Sequence, residues 1–427
     1  MNNFFNQMDE VKEWLLYHHT GDKIIYVLAF FIIMAMLGVF ITKRYRIPFV
    51  IAYVFLGIFL SVDLLRRIPF LSTEFKEWYA FTVENLGFIS HLALGFIAFT
   101  IGSELSIRTL KQLGKSMVYI TILQAVVSFV LVALGVIALG YPLYMGLILG
   151  AIATATNPAA TVMVFQEYGA EGLLSSMIMA VVAIGDAVAL LIFSLARPIA
   201  LMQAADAGTF QISEIFLIPA IEIFGSLALG ILIGYLSQKV MLRVDDKVKK
   251  VLLIVSTIVG GVALSLFLHL SPLITNMAVG FAYRNFARRN PGIADYLDTM
   301  TIPLYAMFFI LAGTEINFSR IASLSFMVLA IVFFISRLAG KYAGAYLGAS
   351  LAKAPDKVKK YVGLGLFSHS GVAIALAFIV QRELVVAPDA GLLIFNILLL
   401  TAAFTEVVGP LTTKYAIIKA GESNRQY

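Results

Sequence analysis

The chain has 427 residues, of which 60% are hydrophobic and only 13% are charged, and its mean hydropathy is +0.93. A soluble domain is typically about half apolar and a quarter charged, so this composition excludes an ordinary soluble protein and indicates a polytopic membrane protein. The net charge of +6 is no sign of a nucleic-acid partner, because the basic residues lie in loops at the predicted membrane edges. The absence of cysteine excludes disulfides and thiolate metal sites.

Thirteen apolar segments are long enough to cross a bilayer, and their continuous pattern predicts helices rather than a β-barrel. In chain order they are 24–41, 47–62, 86–101, 117–139, 142–165, 173–196, 215–240, 251–268, 272–286, 302–316, 322–351, 362–380 and 390–418. Residues 1–22 carry acids and no basic n-region, so we expect an interfacial segment rather than a cleaved signal peptide. The pattern predicts one membrane domain over residues 1–427, with no appended soluble domain.

The basic residues are unevenly distributed when the thirteen segments alternate sides with the N-terminus outside. The inner side then holds 21 Lys and Arg and the outer side holds eight, while Arg337 and Lys341 lie inside a span. Inner loops of membrane proteins carry an excess of positive charge. We therefore expect a multi-pass protein of the cell inner (cytoplasmic) membrane, with its N-terminus outside and its C-terminus inside.

The fifth and sixth segments carry the strongest functional signal. Thr156-Asn157-Pro158 interrupts the fifth segment, because proline lacks the N–H that a continuous helix needs. The sixth segment is apolar except for Asp186, and a carboxylate at the centre of a spanning helix costs roughly 3 kcal/mol. Such a group is usually functional, and the alternative is a buried aspartate paired for stability alone.

A second interruption lies in the twelfth segment, where Ser368, His369 and Ser370 precede a glycine. An offset of seven spans places the two interruptions in opposite orientations, as in inverted repeats with cores at about 86–197 and 301–418. Broken helices at corresponding places in inverted halves indicate a transporter's midplane site. The alternative is a glycine- and serine-rich helix crossing, which is common in membrane bundles.

Two cationic residues in the eleventh segment are candidates for compensating charge at the breaks. Arg337 and Lys341 are four residues apart and share one helix face with several glycines. Lys341 lies nearer the predicted cytoplasmic end and can snorkel, so we expect Arg337 to be the buried cation. Glu222 and Glu406 also lie within spans, and we give them a secondary role.

Five stretches carry a resemblance to the cation–proton antiporter superfamily, the monovalent cation/proton exchangers. They are RIPFVIAYVFLGIFL, LGFISHLALGFIAFTIGSEL, PLYAMFFILAGTEI, TATNPAATVMVFQEYGAEG and AIGDAVALLIF. The resemblance implies the sodium/proton antiporter fold, an all-α membrane transporter domain with about thirteen helices and two crossing broken helices. It also implies a homodimer, and it makes Asp186 the family's essential aspartate. Many members have an Asp-Asp or Asn-Asp pair where this chain has Gly185-Asp186, and this single carboxylate favours electroneutral exchange.

The predicted function is exchange of a monovalent cation, Na⁺, K⁺ or Li⁺, for H⁺, with both ligands competing for Asp186 across the lipid bilayer. Asn157, the Thr156 hydroxyl and the backbone near Thr154 supply further oxygen ligands, which alkali cations require. We expect no enzyme activity, no cofactor and no nucleic-acid partner. Two alternatives remain open: a cation-coupled symporter of an organic solute, and a channel or ion sensor without proton coupling.

Overall fold

A computed structural model of the chain describes residues 20–45, 49–69, 71–107, 114–204, 212–244, 246–287, 293–314, 323–369 and 371–423. Nearly all of these residues are helical, so the prediction of an all-α membrane protein is confirmed. The predicted interfacial segment at 1–22 lies almost wholly outside the described residues.

Seventeen α-helices are present in the described residues. The first nine are α1 Thr20–Tyr45, α2 Phe49–Phe59, α3 Val62–Arg67, α4 Thr73–Asn85, α5 Phe88–Glu104, α6 Gly114–Ala138, α7 Leu143–Ala153, α8 Pro158–Tyr168 and α9 Leu173–Ala204. The others are α10 Ile212–Met241, α11 Lys247–Phe267, α12 Pro272–Phe286, α13 Ile293–Thr314, α14 Leu324–Leu351, α15 Asp356–Tyr361, α16 Gly371–Glu383 and α17 Pro388–Ala420. A 3₁₀ helix, Val362–Leu366, lies between α15 and α16.

Seven helical stretches of the described chain are long and apolar enough to cross a membrane. They are Thr73–Ser103, Gly114–Ala138, Leu173–Ala204, Ala220–Met241, Val248–Phe267, Leu324–Leu351 and Pro388–Ala420. The stretch from α15 to α16, bent by 47°, makes an eighth when it is taken as one span. Shorter apolar helices such as α7 add to these, and the number thirteen stays a prediction.

The chain divides into two compact units, and the first comprises Met1–Ala93 and Met300–Phe318. Within it α2 and α13 approach through glycine, since a Cβ on Gly57 would lie 2.8 Å from the Cα of Gly313. Contact this close needs residues without side chains, the usual means of packing membrane helices without a hydrophobic driving force.

The second unit comprises Leu94–Thr299 and Ser319–Tyr427, and it contains both predicted breaks. Its α6 and α14 pack through glycines spaced every four residues on α14, Gly340, Gly344 and Gly348. A Cβ on Gly344 would lie 2.6 Å from the Cα of Gln124 on α6. This close approach places the face of α14 that carries Arg337 and Lys341 in the interior of the unit.

The residues after α17 bind back onto the start of α9. The Glu422 carboxylate accepts hydrogen bonds from the backbone N–H groups of Leu174 and Ser175, both at 2.8 Å, and from the Ser175 hydroxyl at 2.7 Å. An isolated β-bridge between Ala170 and Ser423 lies beside it. The first N–H groups of a helix have no partner within the helix, and a carboxylate there also complements the helix dipole.

The glycine packing makes a testable prediction. We expect Gly344→Ala to lower the melting temperature in detergent, because the added Cβ meets the α6 backbone and overpacking costs about 1–3 kcal/mol. Gly260→Ala in α11 is the matched control, since a Cβ there meets no atom within 4 Å. The control should melt at or above the wild-type temperature, because alanine is the better helix former. Equal melting temperatures for the two variants would contradict the tight α6–α14 contact.

Candidate functional site

The first break lies between α7 and α8, at residues 154–157. Pro158 begins α8, and a proline disfavours helical geometry at the residue before it, so the helix cannot run through Asn157. Thr154, Ala155 and Thr156 are all fully buried. Because backbone polar groups buried in a membrane protein need partners, this segment must find hydrogen bonds from other helices.

The second break lies between the 3₁₀ helix and α16. Of the three polar residues predicted there, Ser368 and His369 are described and buried, while Ser370 lies outside the described residues. The backbone N–H of Asn157 donates to the carbonyl of Ser368 at 3.0 Å. The two breaks therefore touch backbone to backbone.

Arg337 of α14 binds carbonyl groups of both breaks. It is fully buried, and its terminal nitrogens donate to the carbonyls of Phe367 at 2.7 Å, Ala155 at 3.0 Å and Ser368 at 3.2 Å. These carbonyls follow the C-terminal ends of α7 and the 3₁₀ helix, where a helix dipole is negative. The planar guanidinium has enough donors in a fixed fork to join two such ends at once.

Lys341 is also fully buried, so the structure does not distinguish it from Arg337 by exposure. Its ammonium donates to the Thr154 carbonyl and the Thr156 hydroxyl, both at 2.6 Å, and to Oε1 of Gln124 at 3.0 Å. The snorkelling expected of Lys341 does not occur, because the glycine packing turns its helix face inward. Two of the predicted cation ligands thus hold an ammonium group.

Asp186 lies near the middle of α9 and is 5% exposed. Its Oδ1 accepts a hydrogen bond from the backbone N–H of Thr156 at 3.0 Å, which brings the carboxylate against the first break. A Cβ on the preceding residue, Gly185, would lie 3.4 Å from the Thr156 hydroxyl, an ordinary contact distance. The missing side chain at Gly185 therefore leaves room beside the break.

Asn157 contacts a carboxylate to which the sequence assigned only a secondary role. Its Nδ2 donates to Oε1 of Glu406 on α17 at 2.6 Å. Glu406 lies in an otherwise uncharged stretch, AAFTEVVGPL, and is 9% exposed. The signal that identified Asp186, a lone acid within a spanning helix, also applies to Glu406.

His369 lies against α7 rather than beside a reacting group. Its Nε2 is 3.3 Å from the carbonyl of Ile152, and its ring stacks on Phe333. A carbonyl can only accept a hydrogen bond, so the geometry favours the tautomer with the proton on Nε2. His369 thus joins the second break to the end of α7.

The site brings oxygen atoms and buried charges together at the crossing of two chain breaks. The predicted residues that share this crossing are Asp186, Asn157, Thr156, Thr154, Arg337, Lys341, Ser368 and His369. Carboxylate, hydroxyl and carbonyl oxygens are ligands for hard cations, and a carboxylate also accepts a proton. The arrangement is chemically suited to holding a small cation or a proton away from water.

Known families and proteins similar to this chain are sodium/hydrogen exchangers and antiporters. The profile of the family described as "Sodium/hydrogen exchanger, transmembrane" matches residues 29–419. The Na(+)/H(+) antiporter NhaH of Halobacillus aidingensis is 22% identical over 419 residues, which cover 95% of this chain and 99% of that protein. The Na(+)/H(+) antiporter NhaP of Pseudomonas aeruginosa is 26% identical over 142 residues, 33% of this chain and 32% of that protein.

A solved structure shares the fold over nearly the whole chain. The sodium proton antiporter MjNhaP1 from Methanocaldococcus jannaschii aligns with a TM-score of 0.72 and 17% identity, covering 94% of this chain and 99% of that one. The sequence-based expectation of this membrane fold is confirmed. The chain belongs to the transmembrane sodium/hydrogen exchanger family, whose members are transporters rather than enzymes.

Proposed function

We propose that this chain is a secondary active antiporter that exchanges a monovalent cation, Na⁺, K⁺ or Li⁺, for H⁺. The observation that carries the proposal is the position of Asp186, buried in an apolar helix and hydrogen-bonded to the backbone of the first break. The names of the relatives NhaH and NhaP support Na⁺ as one substrate. All three cations take oxygen ligands of the kinds found here.

Exchange follows from competition for one carboxylate. Asp186 holds either a proton or a cation, so loading one ligand requires release of the other. An ionised carboxylate without a partner is too costly to carry through a low-dielectric barrier. The protein therefore changes access only when Asp186 is loaded, which couples the two fluxes.

The oxygen shell of the cation comprises Asp186, Asn157, the Thr156 hydroxyl and the Thr154 backbone. The ammonium of Lys341 is hydrogen-bonded to Thr154 and Thr156, and an ammonium carries the same charge as the transported cation. The entering cation takes these two oxygens as the ammonium moves away. Lys341 thus keeps the oxygens paired while no cation is bound.

Arg337 compensates the negative ends of the broken helices. It donates hydrogen bonds to three backbone carbonyls at the two breaks, one of which, that of Ser368, also accepts from Asn157, whereas Lys341 donates to one backbone carbonyl and two side-chain oxygens. We infer that Arg337 stabilises the structure of the crossing. We also infer that movement of the Lys341 ammonium controls whether a cation can reach the oxygens of Thr154 and Thr156.

We further infer a homodimer in the cell inner membrane, with the N-terminus outside and the C-terminus inside. The excess of 21 basic residues over eight on the predicted inner side supports this orientation. The family resemblance supports the dimer.

Replacing Asp186 by asparagine is the direct test of the mechanism. We expect Asp186→Asn to abolish the recovery of a pH dye when NaCl or KCl is added to proteoliposomes with an imposed pH difference, because the amide takes up no proton. Glu167→Gln removes a carboxylate at the exposed end of α8 and should transport as the wild type does. Full cation-dependent recovery in Asp186→Asn, with protein that elutes as a single species, would overturn the mechanism.

The two buried cationic residues should differ in their effect on stability. We expect Arg337→Gln to lower the melting temperature far more than Lys341→Gln, because each buried carbonyl left unpaired costs about 1–3 kcal/mol. Arg243→Gln, at an exposed position beyond α10, controls for the loss of an arginine charge. Small and equal shifts for Arg337→Gln and Lys341→Gln would show that the roles are assigned wrongly.

Electroneutral exchange has its own test. With equal pH and equal Na⁺ on both sides, a potential set by a thiocyanate gradient should drive no ²²Na⁺ accumulation, because one proton replaces one cation. A voltage-sensitive dye confirms that the potential is present. Accumulation of ²²Na⁺ at an inside-positive potential would mean that more than one proton moves per cation, and accumulation at an inside-negative potential would mean that the cation crosses without proton coupling.

A further inference from the structure

A second carboxylate, Glu406, lies at the same crossing and has no part in the exchange mechanism above. It is more than nine-tenths buried, on an apolar stretch of α17, where an acid is expensive to keep. One of its oxygens accepts the hydrogen bond from Asn157. An ionisable residue kept within a membrane segment at such a free-energy cost usually has a function.

The other oxygen of Glu406 is buried and has no hydrogen-bond partner among the described residues. A buried carboxylate oxygen normally accepts a hydrogen bond. A buried acceptor without a hydrogen-bond partner costs about 1–3 kcal/mol, and more when the group is charged. This oxygen of Glu406 is therefore able to coordinate a ligand within the site.

A second unpaired oxygen belongs to the neighbouring break. The Ser368 hydroxyl is buried and, within the described chain, has no hydrogen-bond partner. A Cβ on Gly409 would overlap this hydroxyl, so α17 passes directly against the second break one turn after Glu406. Because residues three apart share a helix face, Glu406 and Gly409 both face the crossing.

The hydrogen bonds place the two carboxylates on successive residues of the first break. The N–H of Thr156 donates to Asp186, and the side chain of Asn157 donates to Glu406. The side-chain nitrogen of Asn157 donates to Glu406, so the side-chain oxygen of Asn157 takes no part in this hydrogen bond. Gly185 supplies no side chain next to Asp186, so an acid on α17 is a second source of negative charge at the break.

We propose that Glu406 is a second carboxylate ligand of the transported cation, an inference that rests on the proposed cation/proton exchange. Glu406 adds a coordinating oxygen, while Asp186 exchanges the proton, so one cation still replaces one proton. Affinity for hard cations rises with the number of charged oxygen ligands. The alternative is that Glu406 only orients Asn157.

The variant Glu406→Gln separates these two roles. Its amide oxygen still accepts the hydrogen bond from Asn157, but the negative charge is lost. We expect the KM for Na⁺ in proteoliposomes to rise at least about tenfold, equivalent to 1.4 kcal/mol, with little change in maximal rate. Glu167→Gln, the same change at an exposed position on α8, should leave the KM unchanged.

Binding measured without transport gives a second readout. The NaCl concentration that half-maximally raises the melting temperature should increase in Glu406→Gln by the same factor as the KM. If the Glu406→Gln protein cannot be produced in folded form, Glu406→Asp is measured instead, because it keeps the charge on a shorter side chain. For that variant we expect the KM to rise at least about threefold.

An unchanged KM and an unchanged NaCl dependence in Glu406→Gln would overturn the inference and leave Glu406 as a residue that orients Asn157. Loss of transport in Asp186→Asn together with that result would leave the proposed function intact. Transport in Asp186→Asn would instead defeat the proposed function itself, whatever the behaviour of Glu406→Gln.

Discussion

The rest of this site depends on one buried guanidinium that binds carbonyl groups from two interrupted helices. A broken helix inside a bilayer exposes acceptors that lipid cannot satisfy, so each break is tolerated only where protein supplies donors. Arg337 supplies donors to both breaks at once. Its positive charge also offsets two negative helix ends, which would otherwise repel each other at short range. The crossing of the two breaks is thus an electrostatic construction as much as a packing one.

The position of Arg337 is in turn a matter of shape. Glycines on α14 let its backbone lie directly on that of α6, and this contact fixes the rotation of α14 about its axis. Arg337 and Lys341 share the inward face that results, so both are fully buried. Small residues on one side of the helix therefore determine what charged residues on it can do.

Much of this arrangement could be predicted from the sequence, because broken helices and charged side chains are energetically costly in a bilayer and are therefore rare. Asn157 with its following proline, and Asp186 alone in an apolar helix, stand out against such a background. The roles of Lys341 and Glu406 could not be read in this way, because depth in a segment says nothing about which neighbour a side chain meets. Partners such as Asn157 and Glu406 lie 249 residues apart and become neighbours only through packing.

The carboxylate of Glu422 has a consequence for how the protein is made. It closes the first turn of α9, the helix that carries Asp186, yet it is separated from Leu174 by 248 residues. A ribosome delivers α9 long before it delivers that carboxylate, so Glu422 cannot cap the leading N–H groups of α9 when the helix is first synthesised. The helix that carries Asp186 therefore receives this cap only after nearly the whole of the described chain has been synthesised.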